Sequence, residues 1–319
     1  MKRLIGVIAL GISLFSSSLQ ADDFSTGPVK VVVPFSAGGA TDVFSRILAE
    51  KLDDYLSNPV IVENRPGANG TVAAQHVMRS KPDGHTLLVT LSGVFRQPYL
   101  ENTNYDPIED LDYVSLIADF GLSVVVRTDS DWDSMRDMIE YTKNNPQEVF
   151  YGVPALLGTQ DLTMMQLGEE HNLEWNTVAY PGDSQSLVSL VAGDIDASIV
   201  AGTVAKSMVD GGKVKTIATL NKDRTQWHPD VPTWVEEGLG VFANAPIGIA
   251  VASGTPPEII DELDELIKKA LADEDLVQRA HSMGVIPMYG DSKEYTDYAI
   301  TFYKENEEIM KKAKERQTQ

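Results

Sequence analysis

Gly38-Gly39-Ala40-Thr41-Asp42 is the stretch best equipped for chemistry, and that chemistry is the capture of an anion. Two adjacent glycines let a backbone approach a ligand closely and adopt positive φ. The β-branched run Val29-Lys30-Val31-Val32-Val33 leads into them through Pro34. Behind them Val43, Phe44, Ile47, Leu48, Leu52 and Leu56 recur at helical spacing. A strand, a glycine turn and a helix start aim unpaired N–H groups and the positive end of a helix dipole at one spot. An anion can sit there without a lysine or arginine. The turn lacks the Gly-Lys-Ser/Thr of a P-loop and the GxGxxG of a dinucleotide fold. A carboxylate and a phosphate fit it equally well, and most such turns bind nothing.

Other chemistries find little support. His76, His85, His171, His228 and His281 are scattered, with no HExxH spacing. There is no GxSxG elbow. Acid pairs such as Asp53-Asp54 and Glu236-Glu237 read as solvated helix faces, and the four tryptophans as packing residues. Zero cysteines removes disulfides, thiol catalysis and thiolate metal sites. No catalytic residue, metal site or cofactor is therefore expected. An exported α/β enzyme using Gly38-Gly39 as an oxyanion or phosphate cradle is the competing reading, and Asp42 is its one obvious base. The net charge of -21 argues against nucleic acid and anionic lipid as partners.

These residues need strands and helices to hold them. Pro59–Asn64 and Thr86–Thr90 read as further strands, with the turn-rich Arg65–Gly70 and a helix at Thr71–Ser80 between them. The alternation makes βαβ units, whose strand ends bring the first turn and Ser92-Gly93 to one edge. Val114–Val126 is expected to be a strand crossing to a second α/β unit. There Val149–Val153, Trp175–Ala179, Ile195–Ala201 and Val214–Leu220 are strands ending in small-residue turns. Pro246–Val251 is expected to cross back. A helix opened by Gly254-Thr255-Pro256-Pro257, with Ile259, Ile260, Leu263, Leu266, Ile267 and Leu271 as its buried stripe, and helices near Asp275–Met283 and Ser292–Lys314 close the chain. Two crossings imply two lobes, a hinge and a cleft. The expected division is residues 22–122 plus 247–319 for the first lobe and 123–246 for the second.

Residues 1–21 read as a secretory signal: Lys2 and Arg3, the apolar Leu4–Phe15, three serines, and Ala21 before Asp22. Cleavage near Ala21 would deliver the mature chain to the periplasm.

Lys30–Asp42 resembles the opening of the substrate-binding proteins of tripartite tricarboxylate transporters, also called Bug receptors. The resemblance continues through Val62–Gly70, Pro82–Leu88, Tyr105-Asp106-Pro107, Pro229–Thr233 and Ala252–Pro257. It implies a two-lobed, type II-like periplasmic binding protein, with mainly parallel sheets joined by two crossing strands and no catalytic activity. Such a receptor captures a small organic carboxylate, here a di- or tricarboxylate, and passes it to membrane permease subunits. A ligand-loaded sensor is the other use of the same fold, and a monomer is expected. Carried over by position, ligand contacts would be Phe35, Ser36, Gly38, Gly39, Thr41 and Asp42, then Ser92 and Gly93. Gly158, Thr159, Tyr180, Gly182, Ser184, Ala201 and Thr203 follow from the second lobe. Arg96 departs from the family pattern: it could clamp a second carboxylate, or lie on the surface against Glu101. Asp161 and Asp183 read as helix caps; facing the cleft, they would select an amine.

Overall fold

A computed structural model describes residues 27–154, 156–225, 228–241 and 243–317. The expected signal at 1–21 lies outside the described residues. The chain runs through β1 (Val29–Val33), α1 (Ala40–Asp53), β2 (Val60–Asn64), α2 (Thr71–Met78), β3 (Thr86–Thr90), α3 (Ser92–Leu100) and β4 (Leu111–Phe120). After Gly121 come β5 (Leu122–Arg127), α4 (Met135–Asn144), β6 (Phe150–Val153), α5 (Thr159–His171), β7 (Asn176–Ala179), α6 (Asp183–Ala192), β8 (Ala197–Ala201), α7 (Gly202–Asp210) and β9 (Val214–Thr219). The chain returns through β10 (Pro246–Ala252) to α8 (Pro257–Leu271), α9 (Glu274–Ser282), β11 (Val285–Gly290) and α10 (Ser292–Gln317).

The strands form two sheets. The first lobe holds six strands in the order β11-β4-β10-β3-β1-β2, and the second holds five, β7-β6-β8-β5-β9. Both sheets are mixed rather than mainly parallel. β1 pairs in parallel with β2 and β3, and β6 with β7 and β8. The crossing strands break that pattern, since β10 and β5 each run antiparallel to both neighbours. A strand that enters a lobe from the hinge must run against the strands whose ends face the hinge.

Register fixes what faces the hinge. Ala201, the last residue of β8, lies opposite Leu122, the residue after Gly121. Pro246, the first residue of β10, lies opposite Asp119, and Gly248 lies opposite Thr90. Both sheets therefore aim the C-terminal ends of their parallel strands at the junction, the edge where open α/β sheets take ligands.

Each sheet is covered on both faces. One cluster packs α1, α8 and α9 on the first sheet, and another packs α2, α3 and α10 on its other side. In the second lobe Tyr151, Met164, Leu167 and Trp234 fill one face, and Leu187, Leu190 and Ala205 the other. A fifth cluster joins the lobes: Leu157, Leu162 and Met165 of the second meet Tyr99, Leu100 and Met310 of the first. The described structure is thus closed on that side.

Three elements differ from the sequence expectation. Val114–Val126 is two strands, broken at Gly121. Ser92 and Gly93 open helix α3 instead of forming a loop. β11 was not foreseen; it carries Pro287 and a register break, which an edge strand tolerates.

Candidate functional site

The first turn is braced from within. Gly38 adopts φ +89°, and its N–H donates to Asp42 Oδ2 at 2.8 Å. Asp42 also accepts from Arg46 Nε at 3.0 Å and Asn64 Nδ2 at 2.7 Å. Burial works to raise the Asp42 pKa, but the Arg46, Gly38 and Asn64 bonds outweigh it and hold the carboxyl below its ordinary value. Two expectations change. Asp42 shapes the turn with its carboxylate, and the Gly38 amide serves Asp42 instead of a guest. The N–H groups of Gly39, Ala40, Thr41 and Asp42 find no acceptor among the described residues. Phe35 is 42 % exposed, Ser36 and Gly39 are exposed, and the Phe35 carbonyl accepts from Asn64.

The second lobe repeats this geometry. Leu157 stands in the left-handed region at φ +57°, and its N–H donates to Asp161 Oδ2 at 2.8 Å, four residues on, as Gly38 does to Asp42. Gly158 at φ -73° and ψ 174° matches Gly39 at φ -75° and ψ 164°. Thr159, Gln160 and Asp161 then present amides without acceptors among the described residues. Asp161 differs in what neutralises it. No cation pairs with it among the described residues; it meets Thr177 Oγ1 at 3.2 Å and Tyr151 Oη at 3.5 Å. Burial raises its pKa, only partly offset by the Leu157, Thr177 and Tyr151 bonds.

Arg96, on α3 of the first lobe, reaches the second turn. The surface alternative, pairing with Glu101, is overturned: Arg96 is 8 % exposed and forms no ion pair among the described residues. Its Nη1 donates to Thr159 Oγ1 across the seam at 2.8 Å, and Ser92 Oγ lies 3.3 Å from the same oxygen. Its Nε donates to Asn306 Oδ1 at 2.7 Å, and its guanidinium sits 5.1 Å from the Phe302 ring centroid. Nη2 has no bond to a described residue. Burial pushes the pKa down to about 10, so the group stays charged at neutral pH. A buried charge without an opposite partner is costly, several kcal/mol after relaxation.

The other expected contacts divide. Gly93 is needed for close approach, since a Cβ there would run into the Asn69 carbonyl. Gly182, half-buried, precedes α6, Ser184 is exposed on its first turn, and the half-buried Tyr180 packs beside Gly152. Ala201 packs against the first lobe's core, and a Cβ on Gly284 would meet the Thr203 backbone at 3.0 Å, so both lie where lobe meets lobe. Two depressions open elsewhere on the second lobe, one by Arg136, Lys143 and His171 and one by Met165, Trp175 and Thr177. Neither is lined by these residues, and the meeting of Arg96, Ser92 and Thr159 across the seam marks it as the better candidate.

Sequence reasoning missed Asn306 and Phe302, which fix Arg96. A signal existed: Asn306 is 1 % exposed in register with Tyr295, Ala299, Phe302 and Met310, a polar residue on an apolar stripe. Asn64 lies within the resembling stretch Val62–Gly70, where nothing in its spacing marks it as the brace of Asp42.

Residues 44–314 match the family model described as "Tripartite tricarboxylate transporter family receptor". A protein encoded in the gbd 5' region of Cupriavidus necator is 34% identical, the match covering 95% of this chain and 93% of that one. Among solved structures, a protein from R. palustris with adipate superposes with a TM-score of 0.79 at 26% identity, covering 91% of this chain and 98% of that chain. MatC from Rhodopseudomonas palustris with bound malate gives 0.75 at 25%, covering 89% and 99%.

Proposed function

As the chain belongs to the tripartite tricarboxylate transporter receptor family, we propose that it captures a small organic di- or tricarboxylate between its lobes and delivers it to the membrane permease subunits of such a transporter. One observation carries the ligand class. In a chain with 47 acidic residues, Arg96 is buried at the seam with no acid beside it among the described residues. The missing counter-charge is a guest's carboxylate. The free amides at Gly39–Asp42 and Thr159–Asp161 supply further donors from both sides, backed by two helix dipoles. The adipate and malate complexes of the similar structures agree with this class.

The remaining carried-over contacts, Phe35, Ser36, Ser92, Tyr180, Gly182, Ser184, Ala201 and Thr203, form the walls. Gly38 and Gly93 shape the backbone without touching the guest, and Asp42 meets it through its amide alone while its carboxylate braces the turn. The two lobes, 22–122 with 247–319 and 123–246, close over the ligand by bending at Gly121 and near Ala245. Closure dehydrates the donors and so strengthens each contact. The guest shifts the equilibrium by its preference for the closed form. The protein acts as a monomer in the periplasm after removal of residues 1–21, and performs no turnover.

A thermal-shift screen of the mature chain over mono-, di- and tricarboxylates, aromatic acids and amino acids tests this reading. Stabilisation should rise with the ratio of ligand concentration to Kd, and should be lost in Arg96→Ala. A chain stabilised by no carboxylate contradicts it.

A further inference from the structure

Asp183 opens α6, and one of its oxygens is fixed: Oδ2 accepts from the Ala201 N–H at 3.0 Å. That bond places the carboxyl at the hinge-side edge of the second sheet, because Ala201 lies opposite Leu122 and packs on the first lobe's core. The other oxygen, Oδ1, is buried and has no partner; nor has the buried Thr203 Oγ1, two residues beyond Ala201. The other two acids that start helices at the seam leave nothing comparable. Asp42 is saturated by Gly38, Arg46 and Asn64, and Asp161 by Leu157, Thr177 and Tyr151. Asp183 is paired with no cation among the described residues, and burial pushes its pKa up to about 6. A buried acceptor left open costs its full desolvation. A ligand group that donates to it recovers that cost, and one that cannot leaves it in place.

We propose that Asp183 makes the receptor selective for carboxylates bearing a hydroxyl or ammonium donor next to a carboxylate, over the same acid without the donor. The inference rests on the seam being the carboxylate site. Arg96 and the helix N-termini hold the carboxylates, and Asp183 Oδ1 accepts from the substituent. A site built around an unpaired polar atom rejects the unsubstituted analogue more sharply than an apolar wall rejects an added group.

Matched acids decide it: malate, aspartate and succinate titrated calorimetrically into the mature wild-type chain and into Asp183→Asn. The variant keeps an oxygen for Ala201 and replaces the open acceptor with a donor. Wild type should bind malate or aspartate at least about tenfold tighter than succinate. In Asp183→Asn that preference should collapse to near unity while succinate still binds. Asp183→Ser should show the same collapse if the asparagine variant folds poorly. Equal wild-type affinities, as when Oδ1 holds only a structural water, overturn the assignment, and so does a preference that survives both substitutions. Failure of all three acids to bind wild type overturns the receptor reading, and this inference with it.

Discussion

The turns at 38–42 and 157–161 share a backbone and differ in charge. Each places a left-handed residue before an extended glycine, and each hands that residue's N–H to an aspartate at the third helical position. In the first lobe the aspartate has Arg46 and is held ionised; in the second it has only hydroxyls and burial, and its pKa rises. The first turn is a rigid platform, exposed on its outer side. The second is half-buried at the seam, with the buried Leu157 in the apolar contact that joins the lobes. In the function proposed above, this becomes a division of labour: the first turn supplies a donor set braced by its own aspartate, and the second supplies a set that meets Arg96 across the seam.

The largest break in this scheme is Arg96→Met. It removes the buried cation that meets the second turn across the seam, and carboxylate affinity should fall by about 3 kcal/mol or more, beyond a hundredfold in calorimetric Kd. The ligand-free melting temperature should stay level or rise, because an uncompensated buried charge has gone. A lower ligand-free stability with unchanged affinity would make Arg96 a structural bolt.

Asp42→Asn should come next, costing roughly 1.5–3 kcal/mol in denaturant melts near pH 7. The sign follows from linkage. A carboxyl whose folded pKa is depressed stabilises above its unfolded pKa, and that stability fades as pH falls through the folded value. The gap between wild type and Asp42→Asn should therefore narrow in acid. Asp161→Asn should behave oppositely. Its folded pKa is raised, so the protonated acid favours folding at low pH and that advantage is lost as pH rises through the folded value. Asp161→Asn should be relatively more stable at pH 8 than at pH 4. Parallel pH profiles for the two variants would erase the contrast drawn here.

Two smaller changes sharpen it. Thr159→Ala deletes the oxygen that meets Arg96 and Ser92 across the seam, and should weaken ligand binding by roughly 1–2 kcal/mol with little effect on folding. Gly38→Ala adds a methyl into open space at positive φ, so its cost of about 1–2 kcal/mol is conformational and should appear in stability ahead of affinity.

Much of this was legible in the residues. Periodicity gave β1, α1 and the βαβ order, and the glycine pair marked the first turn. The second turn was harder, because Leu157 occupies the place a glycine holds in the first, and no residue-type signal marks a left-handed leucine. The break at Gly121 between β4 and β5 hid inside an apolar run. The setting of Arg96 depends on α10, some two hundred residues away, and only the lone Asn306 on an apolar face hinted at it. Which backbone amides are free also depends on side-chain bonds, such as Asp42 to Gly38, that spacing does not reveal.

The most direct measurement is a crystal structure of the mature chain soaked or co-crystallised with a dicarboxylate it binds. One carboxylate should lie against the Arg96 guanidinium and the N–H groups of both helix starts, with Thr159 and Ser92 at its edge. A guest bound outside the seam, with Arg96 still donating to Thr159 and Asn306 alone, would contradict the account.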